Sequence, residues 1–235
     1  MTQIVRIASG PSGLMTGGEG VSDASLDAYF YSFTKAQMDA RAVNTDPTTD
    51  AYFEAMTDSL SEIGWTLFKA KPVSQNVKDT PQIPLIVCVM ALLDMAQDGV
   101  GSVLPIDRTG LQGKANDLCA ALRNPPAPVA QQLDDWWQGA EISADYRVMS
   151  IGPILEILGV PNLMAMHLSL HFAANSWRSF VSPSTDFSIS ARPALMSLNW
   201  LKYKLQEASL KASLAQELSG KIKTADLSFG QTEAV

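Results

Sequence analysis

The sequence predicts a single α+β domain, with N-terminal helices packed on a mainly antiparallel sheet and a long C-terminal amphipathic helix. Three observations carry this expectation. Apolar side chains recur at helical spacing through residues 22–138, residues 163–173 alternate with a period of two, and residues 193–219 return to helical spacing. With 235 residues and 46% hydrophobic content, the chain can bury a core of ordinary domain size. Residues 1–21 are expected as a flexible Gly-rich segment, 22–229 as the domain, and 230–235 as a polar tail.

The first element is a short strand over residues 3–8, followed by Ser9–Gly20, whose glycines predict a loop. Leu26, Tyr29, Phe30, Phe33 and Met38 share one face of a helix over 24–41, which Asp23 or Ser25 can cap. A second helix over 49–63 carries Phe53, Met56, Leu60 and Ile63 on one face, while Asp50, Glu54, Asp58 and Glu62 recur every four residues on another. Trp65–Lys71 alternates as a strand and ends at Pro72. Residues 84–97 are apolar almost all round, which predicts the most buried helix. Further helices follow at Leu111–Arg123, stopped by Pro125 and Pro126, and at Val129–Gln138, ended by Gly139.

Tyr146–Ile151 is expected as a strand broken at Gly152-Pro153, with a helical turn over Ile154–Leu158. Leu163–Ala173 is the clearest strand: Met164, Met166, Leu168, Leu170 and Phe172 fall on one face, and Ala165, His167, Ser169, His171 and Ala173 on the other. Ser179–Ser182 and Phe187–Ser190 flank a turn at 183–186 and predict a hairpin. Pro193 and Gly220 frame the long helix, on which Ala194, Leu198, Leu201, Leu205, Ala208, Ala212 and Ala215 step by four and three residues, with Leu210, Leu214 and Leu218 widening the stripe. This stripe is expected to pack on the chain's own core, with coiled-coil dimerisation as the alternative. Lys221–Phe229 is the last strand.

Charge narrows the function classes. A net charge of −7 and a pI near 4.8 argue against a nucleic-acid partner. Residues 1–62 carry nine acids against three bases, whereas residues 192–223 carry six bases against two acids, so these regions are expected to lie near each other. The two cysteines, Cys88 and Cys119, sit in apolar helical patterns and make no disulfide framework. No basic segment followed by an apolar run opens the chain, so the expected location is cytoplasmic, or exported without a cleaved signal peptide. Ile83–Leu93 is too short to span a bilayer, and no transmembrane segment is expected.

Ile4–Leu14 resembles the dinucleotide fingerprint of flavoprotein oxidoreductases, a strand followed by a Gly-rich turn. The resemblance covers eleven residues, Ala8 stands at the first glycine position, and loop sequence follows, so no cofactor is expected. His167 and His171, the two histidines, stand about 13 Å apart along a strand, too far to share one metal ion, so no metal site is expected either.

Two function classes remain. The favoured one is a non-catalytic interaction protein, of virulence or toxin type, that binds a protein partner, a membrane surface or an apolar ligand; Met164, Met166 and Cys88 are its candidate ligand-binding residues. The alternative is a small hydrolase or transferase in which Cys119 or a serine works with His167 or His171, since nucleophilic catalysis needs a base beside the nucleophile.

Overall fold

The computed structural model describes residues 2–10, 13–18, 21–70, 72–100, 108–139, 141–143, 146–157, 160–171 and 176–230. Within them the chain forms one α+β domain built on a single sheet of nine strands. Strand β1 (Thr2–Gly10) pairs antiparallel with β2 (Gly13–Gly18). The segment expected as a Gly-rich loop is therefore the second strand of a hairpin. Its glycines permit close approach: a Cβ on Gly13 would lie 2.5 Å from the backbone oxygen of Ser150 on the neighbouring strand. Strand β2 begins at Gly13, where the dinucleotide fingerprint needs a helix N-terminus.

Helix α1 (Asp23–Val43) is capped by Ser22, whose side chain accepts from the Ser25 N–H at 3.2 Å, one residue before the expected cap. Thr49 caps α2 (Asp50–Ile63) in the same way. Gly64 then ends it at φ +125, a conformation that favours glycine. Strands β3 (Trp65–Ala70) and β4 (Val73–Gln82) follow, and β4 was not anticipated because its residues alternate only weakly in hydropathy. Helices α3 (Pro84–Val100), α4 (Arg108–Arg123) and α5 (Ala127–Gly139) lie within two residues of their expected starts or ends, except where α3 and α4 extend by three at one end.

The rest of the sheet comes from β5 (Glu141–Ser143), β6 (Tyr146–Ile157), β7 (Val160–His171), β8 (Ser184–Leu198) and β9 (Lys223–Gly230). The order is β3-β8-β7-β6-β2-β1-β9, with β4 beside β8 and β5 beside β6; β2 and β6 alone run parallel. Three expectations are corrected here. Strand β6 runs straight through Gly152-Pro153 in place of a break and helical turn: Ile151 faces Met166 and Ile154 faces Leu163, so the register is unchanged. The hairpin expected around 183–186 is one 15-residue strand, because Ser184–Ala191 pairs with β4. Residues 193–198 belong to that strand as well. Pro193 sits at the level where β3 stops and β4 starts, between the pairs Ala70↔Ala194 and Val73↔Ala191. A missing N–H is tolerated where the neighbouring ladder is interrupted.

The long C-terminal helix is thus replaced by α6 (Trp200–Ser213), capped by Asn199, and a single turn, α7 (Ala215–Leu218). Its buried side chains are Tyr203, Leu210, Leu214 and Leu218, while Leu201 and Leu205 of the expected inward stripe are 80% and 87% exposed. The polar tail expected from residue 230 lies, from 231 on, outside the described residues.

Helices cover both faces of the sheet. Ala8, Met15, Ile154, Ala194, Met196 and Leu198 pack against α1, α2 and α6. Ile7, Leu14, Met149, Ile151, Phe187, Ile189 and Ala191 pack against α3, α4 and α5. The period of two sends neighbouring residues to opposite layers, and both faces of these strands are apolar.

Candidate interaction surface

Strands β6, β7 and β8 are long, and β6 and β8 alternate apolar and polar positions over Met149–Ile151 and Phe187–Arg192. On the side of α3–α5, the odd positions Phe187, Ile189 and Ala191 of β8 are buried, as are Met149 and Ile151 of β6. Positions Leu170, Leu168 and Met166 of β7 stand in register with them. The alternate rows of the register are mostly polar, Val148 excepted. Ser150, His167 and Arg192 stand in one row; Val148, Ser169 and Ser190 in the next; Tyr146, His171 and Ser188 in the third. Strand β4 extends two rows, Ser74 beside Ser190 and Asn76 beside Ser188, and Lys78 faces Asp186.

Helices α1 and α2 cover only part of this polar side. Gln37 donates to the Ser150 hydroxyl at 3.3 Å, and Ser150 is buried. Burial pushes the nearby Tyr29 phenol far up, with the Ser150 hydroxyl opposing. Arg192 closes the row from the α2 end: its guanidinium pairs with Asp50, donates to the Thr48 carbonyl at 3.3 Å and lies 5.6 Å from the centre of the Phe53 ring. Beyond that clasp Ser190 is exposed and Ser188 half-buried, and on β4 Ser74, Asn76 and Lys78 are exposed.

Most of the candidate residues of the sequence lie elsewhere. Cys88 on α3 and Cys119 on α4 are both fully buried in the core on the α3–α5 side. Burial raises both thiols, Cys88 far above its ordinary value and Cys119 to about 11, with the Arg123 charge pulling Cys119 back slightly. His167, His171, Met164 and Met166 are all on β7, and their side chains lie outside those described. The register sets His167 between Ser150 and Arg192, which belong to the α1–α2 side, whereas Cys119 lies on the other side of the sheet. Ser188, Ser190 and Arg192 were not singled out from the sequence. Their alternation with Phe187, Ile189 and Ala191 was present there, hidden by the turn-like Pro183–Asp186 beside it.

A cleft of about 410 Å³ lies at the other end of the sheet, lined by Ser9, Gly10, Asp135, Trp136, Gly139, Gly220, Lys221 and Lys223. Lys223 bridges it by pairing with Asp135, whose carboxyl is held below its usual range by that contact and by Gln131. Among the described residues no group of three or more His, Cys, Asp or Glu side chains could hold a metal ion. No helix among them is long and apolar enough to cross a membrane.

No protein-family model matches the chain. No curated protein matches it either. A solved structure named delta-endotoxin is similar at a TM-score of 0.41 and 13% identity, over 78% of this chain and 79% of that one.

Proposed function

We propose that the chain is a non-catalytic interaction protein of toxin type whose target is a lipid membrane. One observation carries the reading: β6, β7 and β8 are consecutive antiparallel strands of 12, 12 and 15 residues, and over the stretch where Met149, Ile151, Phe187 and Ile189 turn an apolar face to α3–α5, the alternate positions of β6 and β8 are Ser150, Arg192, Ser190 and Ser188. A strand needs about 9–11 residues to cross a bilayer, and membrane-spanning strands alternate in this way, apolar to lipid and polar to water. In water the apolar face needs a cover, and α3–α5 supply one. The polar side needs less, which fits its partial cover by α1 and α2.

The test uses lipid vesicles loaded with a fluorescent dye. The chain is expected to release the dye. Single cysteines at 187, 188, 189 and 190, in a chain with Cys88 and Cys119 replaced by alanine, would carry a polarity-sensitive probe. With vesicles present, probes at 187 and 189 should report an apolar surrounding and those at 188 and 190 an aqueous one. Absence of dye release overturns the membrane reading, since Phe187 and Ile189 are buried and Ser190 exposed in the folded chain without lipid.

A further inference from the structure

Helix α6 carries two apolar faces, and among the described residues its own chain covers one of them. Tyr203, Leu210 and Leu214 point inward and are buried, while Leu201, Leu205, Ala208 and Ala212 line the opposite side and are exposed. Two neighbouring leucines at 80% and 87% exposure are a contiguous apolar surface. Since the core does not take the stripe, its spacing of four, three and four residues is left without an intramolecular partner among the described residues. That spacing is the seam of a two-helix contact.

We infer that the outer face of α6 pairs antiparallel with the same face of a second copy of the chain. This does not depend on the membrane reading. Charge and size both favour it. The basic groups of α6 are turned back onto their own chain: Lys202 donates to the Ser61 carbonyl at 2.7 Å, Lys204 pairs with Glu207 at 2.6 Å, and Lys211 pairs with Asp27 at 2.7 Å. The stripe between them carries no charge to repel its twin. Nor does it present the free lysines with which a surface helix grips anionic lipid. The large residues occupy the N-terminal half and the small ones the C-terminal half. An antiparallel pair therefore sets Leu201 against Ala212 of the partner subunit and Leu205 against Ala208 of the partner subunit, large into small. A parallel pair would oppose leucine to leucine and alanine to alanine and leave gaps. A helix of 14 residues is only about 21 Å long, so the seam is short and the association weak and concentration-dependent.

Sedimentation equilibrium of the full chain over a concentration series should show a reversible shift from 25.3 kDa to twice that mass. The double variant Leu201→Lys, Leu205→Lys should stay at the monomer mass with an unchanged thermal midpoint, because both side chains face solvent within one copy. A parent chain that is monomeric throughout, or a double variant that still dimerises, overturns the inference. Orientation is read by oxidative cross-linking. Leu201→Cys mixed with Ala212→Cys should give a cross-linked dimer, and Leu201→Cys alone should not; self-linking of Leu201→Cys would mean parallel helices and overturn the antiparallel pairing.

Discussion

Several polar atoms are sealed in the core without a hydrogen-bond partner, among them the Tyr203 hydroxyl, the Trp65 indole N–H and the Ser32 hydroxyl. Such a group costs its desolvation on folding and recovers nothing. Tyr203→Phe should therefore leave the denaturation midpoint unchanged or raise stability by about 1 kcal/mol; a clear loss would show that a buried water holds the hydroxyl. The cysteines make a second case. A free thiol ordinarily ionises near 9.0, and in the folded chain Cys119 ionises near 11. The native state thus keeps this proton longer than the unfolded chain does. The stability it contributes is complete below pH 9 and is lost as the pH rises toward 11. Urea midpoints should fall across that window, and Cys119→Ala should flatten the fall by at most about 2–3 kcal/mol. Native-state alkylation, followed by mass spectrometry, should modify Cys119 before Cys88, whose thiol is raised further by burial.

At the scale of elements, α6 shows how a correct period can be read onto the wrong face. Its cap, Asn199, starts the helix at Trp200, so the stripe that begins with Ala194 and Leu198 belongs half to a strand and half to the outer side of a helix. Leu201→Asp should shift unfolding by under about 0.5 kcal/mol when measured at concentrations that keep the chain monomeric. Leu210→Asp, which would bury an unpaired charge beside Tyr203, should cost several kcal/mol or prevent folding. The opposite result at the two positions would reverse the orientation of the helix. The β1–β2 hairpin depends on a similar local detail. Gly13→Ala would drive a methyl group into the Ser150 carbonyl, and Gly64→Ala would force alanine to φ +125. Each should lower the unfolding midpoint, Gly13→Ala also loosening β2 from β6 as seen by faster amide exchange in both strands.

Across the whole molecule, a sheet between two helical layers meets the demand of strands that are apolar on both faces at one end and on one face at the other. The acidic start and basic end of the chain do meet, as the charge distribution predicts: Lys211 pairs with Asp27 and Arg192 with Asp50. These pairs are partly or largely exposed and each contributes little, about 0–1 kcal/mol. Apolar burial in the two cores holds the layers. If the apolar face of β6–β8 enters lipid, its cover must leave it. Hydrogen exchange on adding vesicles should then show α3, α4 and α5 losing protection against the sheet while the contact of α1 with α2 persists. Protection retained in all three would place the membrane contact elsewhere.

How much of this was legible in the sequence follows from where each element gets its stability. Helices α1, α2, α3, α4 and α5, and strands β1, β3, β7 and β9, carry their own period and their own caps or breakers, so local sequence determined them. The charge pattern likewise anticipated the drawing together of the acidic start and the basic end. Tertiary structure alone decided the rest. Strand β2 exists because β1 and β6 supply hydrogen-bond partners on both sides of a glycine-rich segment with little propensity of its own. Strand β8 starts directly after Pro183 and runs through Pro193 because partners on both sides satisfy its backbone over most of its length. The polar rows and the outward stripe of α6 were decided in the same way. A period states which residues share a face, but only the packing of the whole chain determines whether that face meets the core, water or another molecule.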